Sequence, residues 1–466
     1  MKQGFAVVVD IGKTRSKVTL WSRDGEMLEK HSRANSPYVE QGISCLDVAG
    51  IAGLIDESLA CFSDHRVEYI VPVAHGAGIA AIKHGELAYP PFDYEAQPPA
   101  EIISAYREMR APFSETGSPC LPAGLNCGIQ LLWAEAVYGD EFRESTLVPW
   151  AQYWTWYLTG EASSEVSSLG CHSDLWNVAH GNFSTLAQNR GWAEKFAPIR
   201  RAQDVIGTLR PALVRRTGLS PGVKVLAGLH DSNAALLAAR GFAQIENNEA
   251  TVLSTGTWFI GMRLTREPLN LAAMPEARDC FANVDPFGHA VPSARFMGGR
   301  EIETLIGIDT RQVDIKPDQP KLLAAVPAVL QQKAMVLPTL SPGNGPFPNA
   351  KGGWLHRPED WFERRAAACL YAALVTSQSL DLLGSKERLL VEGRFAEAEV
   401  FVRALASLRP GTKVYIANAH NDVSFGALRL INPSLRPSGT LREIAPLEHD
   451  LTAYAKAWLD EQMAQS

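Results

Sequence analysis

The chain has 466 residues, 46% of them hydrophobic and 20% charged, with a formal net charge of −7, a composition that excludes a disordered or fibrous protein. The negative balance argues against a general nucleic-acid binder, yet leaves room for a local basic site for phosphate, because net charge does not describe a single site. At this length two large lobes are expected, cut at 1–245 and 246–466.

The N-terminus, MKQGF, leads straight into an apolar run with no signal-like h-region, and no later run approaches the length needed to span a bilayer. A cytoplasmic protein is the expectation. The seven cysteines, Cys45, Cys61, Cys120, Cys127, Cys171, Cys280 and Cys369, are scattered, with neither C-x-x-C nor zinc-ligand spacing. They read as reduced, mostly buried residues, and no structural metal is predicted.

Phe5 to Val9 is a short β-branched run closed by Asp10, followed by Gly12 at a tight turn and a second strand-like run, Lys17 to Trp21. Backbone N–H groups of such a turn, with Thr14, Ser16 and either Lys13 or Lys17, can converge on phosphate oxygens, and Asp10 can hold Mg²⁺ through water. An ordinary edge hairpin is the competing reading. Asp24-Gly25 makes a turn into a third strand from Met27 to His31, and a helix from Asp47 to Phe62 follows with Asp47 as N-cap. Val67 to Val73 reads as a buried strand that delivers His75 at its C-terminal end, where open α/β sheets place ligand contacts. That position favours a contact role over a structural one.

Pro90 to Pro99 suits a loop, and a helix of about Asn126 to Val137 carries Gln130. Trp150, Trp154 and Trp156 read as helix core, and the polar group Ser167, Ser168, His172, Ser173 and Asp174 as a loop. A strand from Lys224 to Leu229 ends in His230-Asp231, at the start of a helix running to about Arg240. Asp231 there reads either as an N-cap or as a general base, and position does not separate the two. Thr251 to Thr265 then repeats the opening pattern of strand, hydroxyl-and-glycine turn, strand. Such a duplication is what a protein with one phosphate grip per lobe requires. After it come a long helix from Trp361 to Leu383, a strand from Arg388 to Val391, a turn at Glu392-Gly393-Arg394-Phe395, a helix from Ala396 to Leu408, a strand from Lys413 to Ala417, and a helix from Asn421 to Leu430. This alternation implies parallel β-α-β connections.

The ordered set of motifs resembles the FGGY carbohydrate kinases over nearly the whole chain. DIGKTRSK (Asp10 to Lys17) is similar to the family's first phosphate motif, AGLHDSNAA (Ala227 to Ala235) to the segment with the catalytic aspartate, and STGTW (Ser254 to Trp258) to the second phosphate motif. VEGRFAEAEVFVRAL with SFGALRL is similar to the adenosine-binding region, WYLTGEASSEVSSLG to the L-T-G-E segment, and AHG to a sugar-contacting stretch. The resemblance implies an α/β fold of two RNase-H-like, actin-like ATPase lobes, each a mixed five-stranded sheet with flanking helices, around a deep cleft. The N-terminal lobe would bind the sugar and the C-terminal lobe the nucleotide.

It further implies an ATP- and Mg²⁺-dependent kinase acting on a ketopentose or a 6-deoxyketohexose, such as xylulose, ribulose, rhamnulose or fuculose. Asp231 would be the base, and Asp10 would organise Mg²⁺ through water. Gly12, Lys13, Thr14, Lys17, Gly256 and Thr257 would line the phosphates, and Gly393, Arg394 and Phe395 the adenosine. His75, Asn126, Gln130 and His172 would join Asp231 near the sugar. Lys13 stands where threonine is usual, and either adds positive charge at the phosphates or points into solvent. Arg394-Phe395 replaces small residues; Phe395 either stacks on adenine, which its flat face favours, or part-fills the pocket. A polyol kinase, an ATP hydrolase coupled to conformational change, and a non-catalytic sugar-binding protein are the rival readings. The expected partner is a small-molecule sugar, with no nucleic acid or membrane; a homodimer is compatible with the resemblance.

Overall fold

In the computed structural model, which describes residues 4–307, 312–418 and 423–464, the apolar opening run becomes the centre of a sheet. Strand β1 (Phe5–Ile11) pairs antiparallel with β2 (Arg15–Ser22), and β2 with β3 (Met27–Ala34). The period of two sends Val7, Val9 and Ile11 to one core and Ala6 and Val8 to another, so β1 is covered on both faces. The first core is closed by helix α1 (Val48–Cys61), whose N-cap Asp47 accepts from the Gly50 amide at 2.9 Å. β4 (Val67–Ala74) lies parallel to β1 on its other side. β3 alternates exposed and half-buried residues, as an edge strand with Glu29, Lys30 and Arg33 should.

Helix α2 (Cys127–Tyr138) follows, then α3 (Trp150–Thr159), in which Trp150 and Trp154 are fully buried, as expected of core residues. Strands β5 (Val205–Thr208), β6 (Lys224–Leu226) and β7 (Leu229–His230) complete the sheet in the order β5-β6-β4-β1-β2-β3, with β7 also beside β4. The single strand expected from Lys224 to Leu229 is thus interrupted at Ala227 and Gly228. Helix α4 (Asp231–Ala239) begins directly after β7.

The second sheet repeats this connectivity. β8 (Ala250–Thr255) and β9 (Phe259–Leu264) form a hairpin, and β10 (Cys280–Val284) and β11 (Ala290–Phe296) extend it by way of β11 beside β9. Helices α5 (Gly298–Ile306), α6 (Gln319–Gln331) and α7 (Trp361–Leu382) precede β12 (Arg388–Gly393), which is parallel to β8. Helix α8 (Glu399–Leu408) then leads to β13 (Lys413–Ala417), parallel to β12, and β14 (Leu441–Glu443) forms the edge. Each sheet has seven strands where five were expected. In the first, β6 and β7 divide one strand and β5 adds an edge; in the second, β10 and β14 are the two outer strands.

The chain divides into two compact units. The first runs to Gly241 and also takes in 282–290 and a stretch to Pro437; the second holds Phe242–Phe281, 291–418 as described, and the chain from Ser438. A single cut at 245 therefore misses two excursions. Helix Val423–Leu428 belongs to the first unit because it packs backbone to backbone on α4: a Cβ on Gly426 would lie 1.7 Å from the Ala234 carbonyl oxygen. The beginning of that expected helix, at Asn421, lies outside the described residues. Among the described residues no helix is long and apolar enough to cross a membrane.

Candidate functional site

The β1–β2 turn places Asp10 and Lys17 as cross-strand partners, and Lys17 Nζ lies 3.2 Å from Asp10 Oδ2. Asp10 is 4% exposed, so its charge is compensated by a lysine that itself stays partly open. Asn35 braces the turn: its amide donates to the Gly12 carbonyl at 2.7 Å, and its backbone N–H to the Thr14 carbonyl at 2.9 Å. The Thr14 side chain is exposed. Lys13 takes neither course expected of it. It is ion-paired with the buried Asp93, lies 3.3 Å from Glu95, and sits 4.6 Å over the Tyr94 ring. A nearer carboxylate with little solvent competition outbids open water for the ammonium.

Asp231 is the first residue of α4, with His230 in the N-cap position, so the N-cap reading is corrected. Its side chain is 27% exposed; Oδ1 accepts from Ser232 Oγ at 3.2 Å, and His230 Nε2 lies 3.2 Å from the same oxygen while hydrogen-bonded to Cys171 Sγ at 3.4 Å. Burial pushes its carboxyl above the usual range, while His75, the Ser232 donors and Lys17 pull it back. His75, at the end of β4, has Nδ1 2.7 Å from the Gly76 carbonyl, so Nδ1 carries the hydrogen and Nε2 is an acceptor in the neutral ring. Burial holds its pKa below the ordinary value, partly offset by the Gly76 bond and Asp231. The ring meets Tyr94 edge-on at 5.4 Å.

The remaining expected sugar residues divide. The Asn126 amide is used within the protein: Oδ1 accepts from Leu121 N at 2.8 Å, and Nδ2 donates to the Pro119 and His172 carbonyls at 3.1 and 3.0 Å. With its hydrogens committed and 1% exposure, Asn126 is a staple between loops. His172 is bound through Nδ1 to the Leu125 carbonyl at 3.0 Å, which ties it to the same joint. Gln130 donates to the Ala77 and Gly124 carbonyls at 2.7 and 2.6 Å, holding the chain just past His75, and its buried Oε1 has no hydrogen-bond partner.

Tyr94, Asp93 and Glu165 were not legible as site residues. Tyr94 stood in a Pro/aromatic stretch with no spacing signal. Glu165, fully buried at the N-cap of the turn Val166–Leu169, accepts from Ser167 Oγ at 2.6 Å, and Ser167 Oγ accepts the His230 backbone N–H at 3.2 Å. Only its place in the L-T-G-E segment hinted at this.

In the second unit the β8–β9 turn carries Gly256 and an exposed Thr257. Helix α5 starts against it: a Cβ on Gly299 would lie 2.0 Å from the Gly256 carbonyl oxygen, so only glycine lets the helix N-terminus come this close. Gly393 ends β12 opposite Thr255 with φ +87°, where a Cβ would lie 2.1 Å from the Thr255 carbonyl oxygen. Arg394 is exposed. Phe395 is fully buried among Phe259 (ring centroids 4.7 Å) and Phe401 (5.9 Å), so it is core and has no open face for adenine. Its backbone N–H donates to Thr255 Oγ1 at 3.1 Å, which turns the ring inward.

Residues 92–238 match the N-terminal domain of the FGGY family of carbohydrate kinases, and residues 247–438 match "Carbohydrate kinase FGGY, C-terminal domain". A carbohydrate kinase from Novosphingobium aromaticivorans is 60% identical, with a TM-score of 0.97 over 100% of this chain and 99% of that one. Gluconate kinase from Lactobacillus acidophilus, at 14% identity, shares the fold with a TM-score of 0.79 over 100% of this chain and 97% of its own. L-fuculokinase of Salmonella typhi is 26% identical over 280 residues, 56% of this chain and 57% of that protein. The chain thus aligns with a little over half the length of the curated relatives it matches.

Proposed function

Because the chain belongs to the FGGY family of carbohydrate kinases, with the two-unit actin-like ATPase fold, we propose that it is an ATP-dependent ketose kinase with Asp231 as general base. The observation that carries this reading is a single one. At the end of β7 a partly exposed carboxylate, Asp231, accepts a hydrogen bond from Ser232 Oγ and lies in the field of Lys17 and His75. A binding module has no need of a carboxylate so arranged.

In the reaction, the sugar hydroxyl loses its proton to Asp231 as its oxygen bonds to the γ-phosphorus. The bond from that phosphorus to the β–γ bridging oxygen breaks, and ADP leaves with the electron pair. His75 Nε2 and Gln130 Oε1 accept hydrogen bonds from the sugar, with Tyr94 beside them. Gly12, Thr14 and Lys17 serve the phosphates from the first unit. Gly256 and Thr257, with the N-terminus of α5 behind their turn, are the second unit's phosphate contribution, and Gly393 with Arg394 is its adenosine contribution.

Asp10 fits a hydrated Mg²⁺: it is one carboxylate, and among the described residues no cluster of three or more His, Cys, Asp or Glu could form a protein cage, which suits an ion that keeps most of its waters. When bound, Mg²⁺ neutralises charge on the phosphates. Of the substrates, a 6-deoxyketohexose such as fuculose is favoured by the L-fuculokinase relatives, with ketopentoses next.

The test is ADP release from Mg-ATP across a panel of ketoses, polyols and gluconate, beside Asp231→Asn. One ketose should stimulate turnover, and the variant should lose about 10²- to 10⁴-fold in kcat. Turnover unchanged in Asp231→Asn would overturn the base; sugar-independent ATP hydrolysis would favour a hydrolase instead.

A further inference from the structure

Strands β1, β4 and β7 stop in register. Ala74, the last residue of β4, is the partner of Ile11 in β1 on one side and of His230 in β7 on the other. One step further along the chain the same strands present Gly12, His75 and Asp231. The β1–β2 turn, the imidazole and the carboxylate therefore share one end of the sheet, and Tyr94 is brought to it by a loop.

That loop is fastened residue by residue. The Asp93 N–H donates to the Ser44 carbonyl, the Gly124 N–H to the Tyr94 carbonyl and the Glu95 N–H to Asp93 Oδ1, each at 2.9 Å. The Tyr94 ring is held as well. Lys13 Nζ, ion-paired with Asp93, lies 4.6 Å from its centroid, and the His75 ring meets it at 5.4 Å with the planes 81° apart. Among the described residues no hydrogen bond ends on the Tyr94 hydroxyl.

We infer that Tyr94 is a specificity-determining residue for the sugar, its hydroxyl donating a hydrogen bond to the oxygen of one sugar hydroxyl, and that Lys13 serves this ring and not the phosphates. This rests on the reading that places the sugar at Asp231. A sugar hydroxyl has one hydrogen to give and lone pairs that need a donor. Asp231, His75 Nε2 and Gln130 Oε1 all accept, so they take up sugar hydrogens and leave the sugar oxygens unanswered. Tyr94 supplies the missing donor. Burial first, and then the carboxylates of Glu95, Asp93 and Asp231, push its phenol well above the usual range, so the group stays an O–H near neutral pH. A sugar without the matching hydroxyl leaves that donor unpaired, which is how a site rejects an analogue one oxygen short.

The experiment compares full-length wild type, Tyr94→Phe and Lys13→Met, with Asp231→Asn as reference. It measures kcat, sugar KM and ATP KM with the ketose that stimulates turnover, and kcat/KM with its monodeoxy analogues, each lacking one hydroxyl other than the one phosphorylated. Tyr94→Phe removes an oxygen that bonds to nothing in the protein, so it should melt as the wild type does. It should raise the sugar KM about 5- to 10-fold and leave the ATP KM within about 2-fold. For one analogue, the penalty seen in wild type should shrink by that same factor in Tyr94→Phe, while the other penalties stay as they were. A merely structural tyrosine would not single out one hydroxyl. Lys13→Met keeps the phenol but frees its ring, so it should weaken the same discrimination by about 3-fold. Equal penalties in wild type and Tyr94→Phe for every analogue, beside an inactive Asp231→Asn, would overturn the role of Tyr94 alone. An Asp231→Asn that turns over the ketose as wild type does would overturn the base, and with it the sugar placement on which this role rests.

Discussion

Lys13 and Asp93 form an ion pair that joins the β1–β2 turn to the segment carrying Tyr94, and the same ammonium lies over the Tyr94 ring. Asp93 is 1% exposed, so its charge depends on this partner. Lys13→Met should destabilise the protein by about 2 kcal/mol, the penalty of a stranded buried acceptor, and the double variant Lys13→Met/Asp93→Asn should recover most of it. In turnover assays the sugar KM should rise more than the ATP KM, because Tyr94 stands beside His75. A tenfold rise in ATP KM alone would mean that Lys13 reaches the phosphates after all.

Phe395 distinguishes core from ligand platform. Phe395→Ala should cost about 3–5 kcal/mol by opening a cavity among Phe259 and Phe401, whereas Phe395→Leu, which refills most of the space, should bind ATP as the wild type does. Calorimetry of ATP binding to the leucine variant checks this; a large loss of affinity with an unchanged melting temperature would restore adenine stacking.

Gly393 has a backbone conformation reserved for glycine and faces the Thr255 carbonyl at contact distance. Gly393→Ala should lose about 1–3 kcal/mol from backbone strain alone, more once β8 and β12 are pushed apart. Kinetically it should raise the ATP KM and leave sugar affinity, measured without nucleotide, unchanged.

Glu165 makes stability depend on pH. Its carboxyl is fully buried, and burial pushes it from 4.5 up to about 7. Between those values the folded chain holds a proton that the unfolded chain has released, so stability from this group is complete below about pH 4.5, falls as pH rises, and levels off above about 7. A difference of that size amounts to about 3 kcal/mol. Denaturant unfolding from pH 4.5 to 8 should show a shallower decline for Glu165→Gln than for wild type. The Glu392 carboxyl, also pushed up to about 7 by burial, adds a decline that remains in both. Parallel curves for the two proteins would contradict the assignment.

The backbone plan was legible in the sequence because it rests on local periodicity. Alternation in β1 and β8, the glycine turns after them and the N-cap at Asp47 are set by residues a few positions apart, and the repeat of strand, turn, strand announced two related sheets. The placement of Asp10 and Lys17 on the first hairpin and of Asp231 at a helix start was likewise readable, since each stands at a fixed offset from a strand end.

Side-chain allegiance was decided only by the tertiary structure. Lys13 could not be assigned from its neighbours, because its partner Asp93 lies 80 positions away; Phe395 turned inward because its own N–H is fastened to Thr255, 140 positions distant. Asn126 and His172 looked like ligands as isolated polar residues, but each is engaged by loop backbone. Asp231 could be placed at a helix start from sequence, while the surroundings of His230 beside it, Cys171, Ser167 and Asn233, come from distant segments and from the fold. Local order follows from chain neighbours, but the chemistry of a charged or aromatic group follows from whichever distant partner reaches it first out of water.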